Sequence, residues 1–306
     1  MLAESKIINF LIQLNRNNRS SFMPSFALLC SISYIYRKYI IMKRIFYLII
    51  VLSITFVGCS PNPRKYVERG IDKFAHKDFE GAILDYNKAL EINPEFSDAF
   101  YCRGSAKDDL KDYMGAISDY NKAIELNPNK EAEPYFSRGV AKRHLEDYNG
   151  AIDDYTKAIE LNPKYTYYYF RGFAKDHLQD YQGAIDDYTK AIELDPEDAN
   201  VYYDRGLAKD HLQDYHGELD DFTKAFELDP ENVDADNYYN RGSAKEHLKY
   251  YLGAMDDYTE AIDIDPQFSK AYHNRGMLKI KIGLKDSGDS DLSKAAELDS
   301  ISLGRN

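Results

Sequence analysis

Cysteine, positive charge and long apolar runs are all scarce in this chain. Its three cysteines, Cys30, Cys59 and Cys102, lie far apart. They show none of the close spacings that hold a metal ion, and they set up no disulfide framework. Lys and Arg (39) are outnumbered by Asp and Glu (51), so 306 residues carry a formal net charge of −12. Residues 1–58 hold seven of the basic residues and a single acid, Glu4, which leaves the remainder at −18. A body that acidic repels phosphate backbones, which argues against nucleic acid as a partner. Glycine-rich phosphate loops, HExxH and GxSxG are also absent. Nearly every His, Asp and Lys belongs to a repeated column rather than to a unique constellation, so the reading is not an enzyme, with no cofactor and no metal. His76, His216 and His273 break the columns without evident partners.

One apolar stretch stands out. Met42-Lys43-Arg44 precedes Ile45–Leu52, then Ser53 to Val57, Gly58 and Cys59. A basic start, about 13 apolar residues and a small residue before the cleavage point match a secretory signal peptide. The run is shorter than the ~20 residues that span a bilayer. Phe56-Val57-Gly58-Cys59, followed by the breaker-rich Ser60-Pro61-Asn62-Pro63, resembles the lipobox of bacterial lipoproteins, with Phe56 where that family prefers Leu. The resemblance implies a signal peptide at 42–58, lipidation of Cys59 and a tether at 59–63. It places the protein in the cell envelope, anchored to a membrane and facing the periplasm or exterior. Residues 1–41 then read as a non-native extension upstream of a start at Met42; with a start at Met1, the segment reads instead as an uncleaved membrane anchor.

The rest of the chain is periodic. Arg-Gly recurs at Arg69, Arg103, Arg138, Arg171, Arg205, Arg241 and Arg275. A period near 34 means stacked copies of one unit. In the second unit, Phe100, Arg103, Gly104 and Lys107 share one helical face, with Ala106 and Leu110 beside it. Asp112-Tyr113-Met114-Gly115 reads as the turn. Ala116, Ile117, Tyr120, Ala123 and Ile124 mark a second amphipathic helix stopped by Asn127-Pro128. Neither helix can bury its apolar stripe alone, so units must stack.

An aromatic opens each unit (Tyr66, Phe100, Tyr135, Tyr168, Tyr202, Tyr238, Tyr272). Most second helices pair a small residue with Tyr four positions on, as in Ala82/Tyr86, Ala116/Tyr120, Ala151/Tyr155, Ala184/Tyr188 and Ala254/Tyr258. Prolines 94, 128, 163, 196, 230 and 266 end them. This pattern resembles the tetratricopeptide repeat. The resemblance implies an all-α fold, a right-handed superhelical solenoid of seven antiparallel helix pairs. Its units run over about 63–96, 97–131, 132–164, 165–198, 199–234, 235–268 and 269–300, with a tail at 301–306. It also implies an inner groove lined by the first helices.

Departures fall at Glu218, which replaces the small residue in unit five and predicts looser packing there, and at Gly288, Leu292 and Ser300 in unit seven. Short insertions or deletions lie between units at 129–131, 164–166 and 233–236. The polar stretch 285–291 suits a terminal cap.

Every Arg is followed four residues later by Lys, and like charges one turn apart repel. The second helices offer compensation in Asp119, Asp154, Asp187, Asp221 and Asp257. The expected ladder pairs these with Arg103, Arg138, Arg171, Arg205 and Arg241, suited by arginine's planar fork. A solvent-facing cationic stripe for carboxylates is the competing reading.

On the face turned from the core stripe stand Tyr101, Phe136, Tyr169, Tyr203 and Tyr239. Further along lie Asp108, Arg143, Asp176, Asp210 and Glu246, beside a histidine column of His144, His177, His211 and His247. Helices pack ~8–10 Å apart, too far for one zinc ion to gather neighbouring histidines. By the family resemblance this face is the inner groove, suited to peptides or proteins with basic and apolar anchors. The expected function is a non-enzymatic interaction scaffold. The alternative is an extracytoplasmic protein presenting a small ligand or peptide to an envelope enzyme or transporter.

Overall fold

A computed structural model describes residue 13, residues 41–47 and residues 62–303, with residues 302 and 303 described by backbone alone. The chain divides into Met1–Pro61 and Asn62–Asn306. In the first, residues 41–47 form an exposed helix. Most of the signal-like segment and Cys59 lie outside the described residues. Among the described residues, no helix is long and apolar enough to cross a membrane.

Helices joined by short turns make up the described residues of the second part. Its helices are α1 (Pro63–Ala75), α2 (Phe79–Ile92), α3 (Ser97–Asp109), α4 (Tyr113–Leu126), α5 (Glu133–His144), α6 (Tyr148–Leu161), α7 (Tyr165–His177), α8 (Tyr181–Leu194), α9 (Ala199–His211), α10 (Tyr215–Leu228), α11 (Ala235–His247), α12 (Tyr251–Ile264), α13 (Ser269–Lys281) and α14 (Lys285–Leu303). Odd and even helices pair within each of seven units, and each even helix packs on the next odd one. In units one to five, odd helices of neighbouring units also approach one another more closely than even ones do. The odd helices therefore line the inner side of the stack.

The turn within each unit differs from its sequence reading. In unit two it comprises Leu110 to Asp112, and Tyr113, Met114 and Gly115 already belong to α4. Lys111 takes a left-handed backbone (φ 63°), as do Lys77, Glu146, Gln179, Gln213 and Lys249. Asp112 then caps α4 by accepting from the Gly115 N–H at 3.0 Å, and Asp78, Asp147, Asp180 and Asp214 do the same in their units. An aspartate at that place satisfies one of the orphan donors of the first turn.

Glycine of each Arg-Gly pair allows the two helices of a unit to close. A Cβ on Gly104 would stand 2.7 Å from Tyr120 Cε1, inside any real contact. Unit seven solves the same approach differently. Gly276 and Gly288 face each other so tightly that a Cβ on Gly276 would meet the Gly288 carbonyl at 2.9 Å, and Leu292 takes the ring's place. Its two glycines thus compensate for the lost tyrosine.

Buried small residues join the units. Ala116 clusters with Ala141, Ala151 with Ala174, Ala184 with Ala208, and Ala254 with Leu278. Unit one carries exposed Asp72 where the others bury Ala106, Ala141, Ala174, Ala208, Ala244 and Leu278. At the far end, exposed Ser293 and Ala296 stand where α12 has Thr259 and buried Ile262. These polar or small residues face outward at both ends of the seven-unit stack. Glu218 itself is sealed, 2 % exposed with α9 packed on α10, but the looser packing its sequence predicts is found at the α10–α11 seam, the least extensive of the six between units.

Candidate functional site: the inner face of the odd helices

Seven charged nodes hold the helices that build this face. Arg171 donates from Nε and Nη2 to the two oxygens of Asp187 at 2.8 and 2.6 Å. The same two-pronged bond joins Arg103 to Asp119, Arg138 to Asp154, Arg205 to Asp221 and Arg241 to Asp257. Arg69–Asp85 and Arg275–Asp291 complete the set. The Lys one turn on reaches the same carboxylate, Lys175 to Asp187 at 2.7 Å, and donates to a glycine carbonyl of the second helix as well. Each Asp is thus buried yet neutralised by two cations, and the like-charge repulsion between Arg and Lys is removed.

The remaining Arg nitrogen, Nη1, points to the preceding unit. It donates to Asn87 from Arg103, Asn121 from Arg138, Thr156 from Arg171, Thr189 from Arg205 and Thr259 from Arg275. Arg241 instead lies over the Phe226 ring at 4.2 Å. Each guanidinium also rests on the aromatic three residues before it, as Arg171 does on Tyr168 at 5.6 Å. One arginine therefore fastens its own helix pair and the preceding unit. Hydrogen bonding from Arg69, against the opposing effect of burial and with help from Lys73, holds Asp85 down at about 2. With their cations committed in this way, the nodes do not form a free cationic stripe.

The five aromatic groove candidates are half-buried, and each packs on its unit's buried second-helix ring. Centroids lie 5.9 Å apart for Tyr101–Tyr120, 5.8 Å for Phe136–Tyr155, 6.0 Å for Tyr169–Tyr188, 5.2 Å for Tyr203–Phe222 and 5.6 Å for Tyr239–Tyr258. Three hydroxyls also bond to the next odd helix. Tyr169 donates to Asp204 at 2.9 Å, while Tyr203 accepts from Asn240 at 2.7 Å and Tyr239 from Asn274 at 3.2 Å. These rings are floor and inter-unit fastening at once, rather than side chains standing free. Asp204, Asn240 and Asn274 vary between units, and sequence reasoning missed them; the residue before each Arg was the place to look.

Carboxylates on this face divide into two classes. Glu246 is committed, accepting from Tyr258 at 2.8 Å. In contrast, Asp108 and Asp176 each keep one oxygen sealed from solvent with no hydrogen-bond partner among the described residues. Burial, with Asp109 adding to it, pushes the Asp108 carboxyl up to about 6, and burial likewise raises Asp176. Burial also raises Asp204 to about 6, against the lowering bond from Tyr169. Asp210 sits in the equivalent place of unit five and lies beside Glu218. Arg143, at this position in unit three, lies over Phe170 and Phe173 at 5.4 and 5.5 Å. It puts one cation into an otherwise acidic row.

The histidines do not stand free beside the groove. All four are exposed, and each rests on the tyrosine that opens the preceding unit's second helix. His144 stacks on Tyr113 at 4.7 Å, His211 on Tyr181 at 4.2 Å and His247 on Tyr215 at 4.1 Å, while His177 lies tilted over Tyr148 at 4.8 Å. In unit seven, Lys281 takes over this role above Tyr251 at 4.4 Å. The column is an inter-unit seam. No group of three or more His, Cys, Asp or Glu among the described residues could hold a metal ion.

Paired helices, small residues at every seam and an inner face of odd helices define a helical-repeat solenoid. Comparison with known families identifies it further. The family described as TPR repeat matches residues 72–107 and 177–209, and that described as Tetratricopeptide repeat matches 97–130, 132–165, 199–232 and 235–268. Together these cover more than half of the sequence, and the chain belongs to the tetratricopeptide repeat family. Among solved structures it is similar to YrrB, described as a TPR protein with an unusual peptide-binding site. That match has 25 % identity and a TM-score of 0.56, covering 61 % of this chain and 96 % of that one. It is similar also to MamA, at 28 % identity and TM-score 0.52, with coverage of 55 % and 92 %. A tetratricopeptide repeat protein from Parabacteroides merdae ATCC 43184 shares the fold at 18 % identity and TM-score 0.55, over 78 % of this chain and 93 % of that one. No curated protein matches the chain.

Proposed function

We propose that this protein is a non-enzymatic interaction scaffold whose inner face takes a polypeptide carrying basic and apolar side chains. The observation that carries the reading is the contrast between its two sets of aspartates. Those of the nodes are each paired with two cations, whereas Asp108 and Asp176 keep unpaired oxygens on the inner face beside the aromatic rows. The sealed oxygens themselves are out of a partner's reach, but these half-buried side chains leave negative charge on the face, which a partner's Lys or Arg would neutralise. The aromatic rings beside it offer apolar anchoring area. Family membership and the peptide-binding site described for YrrB support the same reading.

Attachment to the envelope through a lipid on Cys59 is a second part of this proposal, carried by the sequence pattern 42–63. Cys59→Ala should move the protein from the membrane to the soluble fraction; unchanged partition would refute the anchor. Groove binding is tested by fluorescence anisotropy with an alternating Lys-Leu peptide and its Glu-Leu counterpart. The basic peptide should bind, more weakly as salt rises, and the acidic one should not. Equal binding of both, or of neither, would refute the reading.

A further inference from the structure

Glu218 is the one second-helix residue at its register position that is neither alanine nor glycine. The equivalents are Ala82, Ala116, Ala151, Ala184, Ala254 and Gly288. In the alanine units this position packs into the next unit's first helix. By the same register, unit five sets Glu218 opposite the fully buried Ala244 of α11. The glutamate is nonetheless 2 % exposed, and its Oε2 has no hydrogen-bond partner among the described residues.

Two further features converge on the same seam. The interface between α10 and α11 is the least extensive of the six that join successive units. Its connection also carries the longer spacing at 233–236. No cation is available to Glu218 from the helices around it. From α9 it faces Asp210, while Lys209 is paired with Asp221 at 2.7 Å; on its own element it faces the capping Asp214. On α11, Arg241 and Lys245 are both committed to Asp257, and Glu246 accepts from Tyr258. Burial first, then the Asp210 and Asp214 carboxylates, push the Glu218 carboxyl up to about 8.

We propose that Glu218 makes the junction of units five and six a proton-operated hinge. Protonated, it stays sealed beneath α11 and the two parts of the solenoid hold one register. Ionised, it draws its carboxylate out toward water and loosens the α10–α11 seam. The proton leaves to solvent; no bond to another group forms. The direction follows from linkage. A closed seam that binds this proton more tightly than an open one opens tenfold more often per pH unit, from about the ordinary glutamate value up to about 8, and then levels off.

The test is hydrogen exchange on the full chain between about pH 5 and 9, corrected for the intrinsic pH dependence of amide exchange and compared between wild type, Glu218→Ala and Glu218→Gln. Alanine is what the sister units carry, and glutamine keeps the shape without the charge. Both retain Asp108, Asp176 and Asp204, so the difference from wild type isolates Glu218. In wild type, protection of α10 and α11 amides should fall roughly tenfold per unit from pH 5 to 8 relative to either variant, with the other units unchanged. Parallel pH profiles in all three proteins, or a loss spread evenly over all units, would overturn the hinge.

Discussion

Removing one arginine from the middle of the stack should cost much more than removing its counterpart from the end. Arg171 makes two bonds to Asp187, a third to Thr156 of the preceding unit, and lies over Tyr168, with its side chain 17 % exposed. In Arg171→Ala, Asp187 keeps only Lys175, and the tie to unit three is lost. Breaking a buried pair by deleting one partner costs about 3–5 kcal/mol. The surviving lysine puts this case near the lower end, at about 3 kcal/mol. Arg69 makes the same bonds to Asp85, but its side chain is 53 % exposed and no hydrogen-bond partner among the described residues takes its Nη1. Arg69→Ala should therefore be mild. The assay is urea unfolding followed by far-UV circular dichroism, with native-state hydrogen exchange to locate the loss in units three to five. Stability in a repeat array is roughly the sum of units and nearest-neighbour seams, so exchange should rise most around α6 to α8. Equal, small effects of both substitutions would refute the fastening role and favour a solvated cationic stripe.

Gly172→Ala should lower stability by about 1–3 kcal/mol through overpacking, despite alanine's better helix propensity. Its Cβ would stand 2.9 Å from Tyr188 Cε1, and the measurement is the shift in urea midpoint. The pH dependence of thermal unfolding should peak on the acid side of neutrality, near about pH 4–5. Asp85, held at about 2, contributes stability that is present above the ordinary aspartate value and lost as pH falls through about 2. Asp108 and Asp204, raised to about 6, bind protons more tightly in the native state, so their effect is lost stability as pH rises from about 4 to 6. Glu218 extends that loss to about 8. A maximum at pH 7 or above would contradict this distribution of charges.

Much of the scaffold is legible in the sequence because most architectural positions recur in nearly every one of the seven units. The glycine that admits Tyr120 and the proline after α4 recur at one spacing, and neither helix can bury its apolar stripe alone, so the units must stack. The turn departs from its sequence reading because Lys111 occupies a left-handed conformation without being glycine, and because Asp112 reads as a turn residue as readily as a cap. Pairing of Arg171 with Asp187 follows from charge balance within one unit. Its bond to Thr156 does not, since that needs the offset between units. The same offset decides the histidines: His211 reads as free in the sequence, and α8 brings Tyr181 beneath it. Tyr169 faces away from the stripe along its own helix, yet it packs on Tyr188 because the second helix leans across. Glu218 is visible as a departure, but only the stacked neighbours determine that it is sealed rather than splayed.

The most direct test separates the inner-face carboxylates from the nodes. Asp108→Asn, Asp176→Asn and Asp210→Asn, combined, remove negative charge with almost no change of shape. Neutralising Asp108, whose carboxyl is raised to about 6, should stabilise the fold slightly, by about 1 kcal/mol after allowance for its partial exposure. The measurement is the affinity of this triple variant for the alternating Lys-Leu peptide, alongside its thermal midpoint. The expected result is a fold at least as stable as wild type with affinity reduced tenfold or more. Undiminished affinity in a well-folded triple variant would contradict the placement of binding on the inner face.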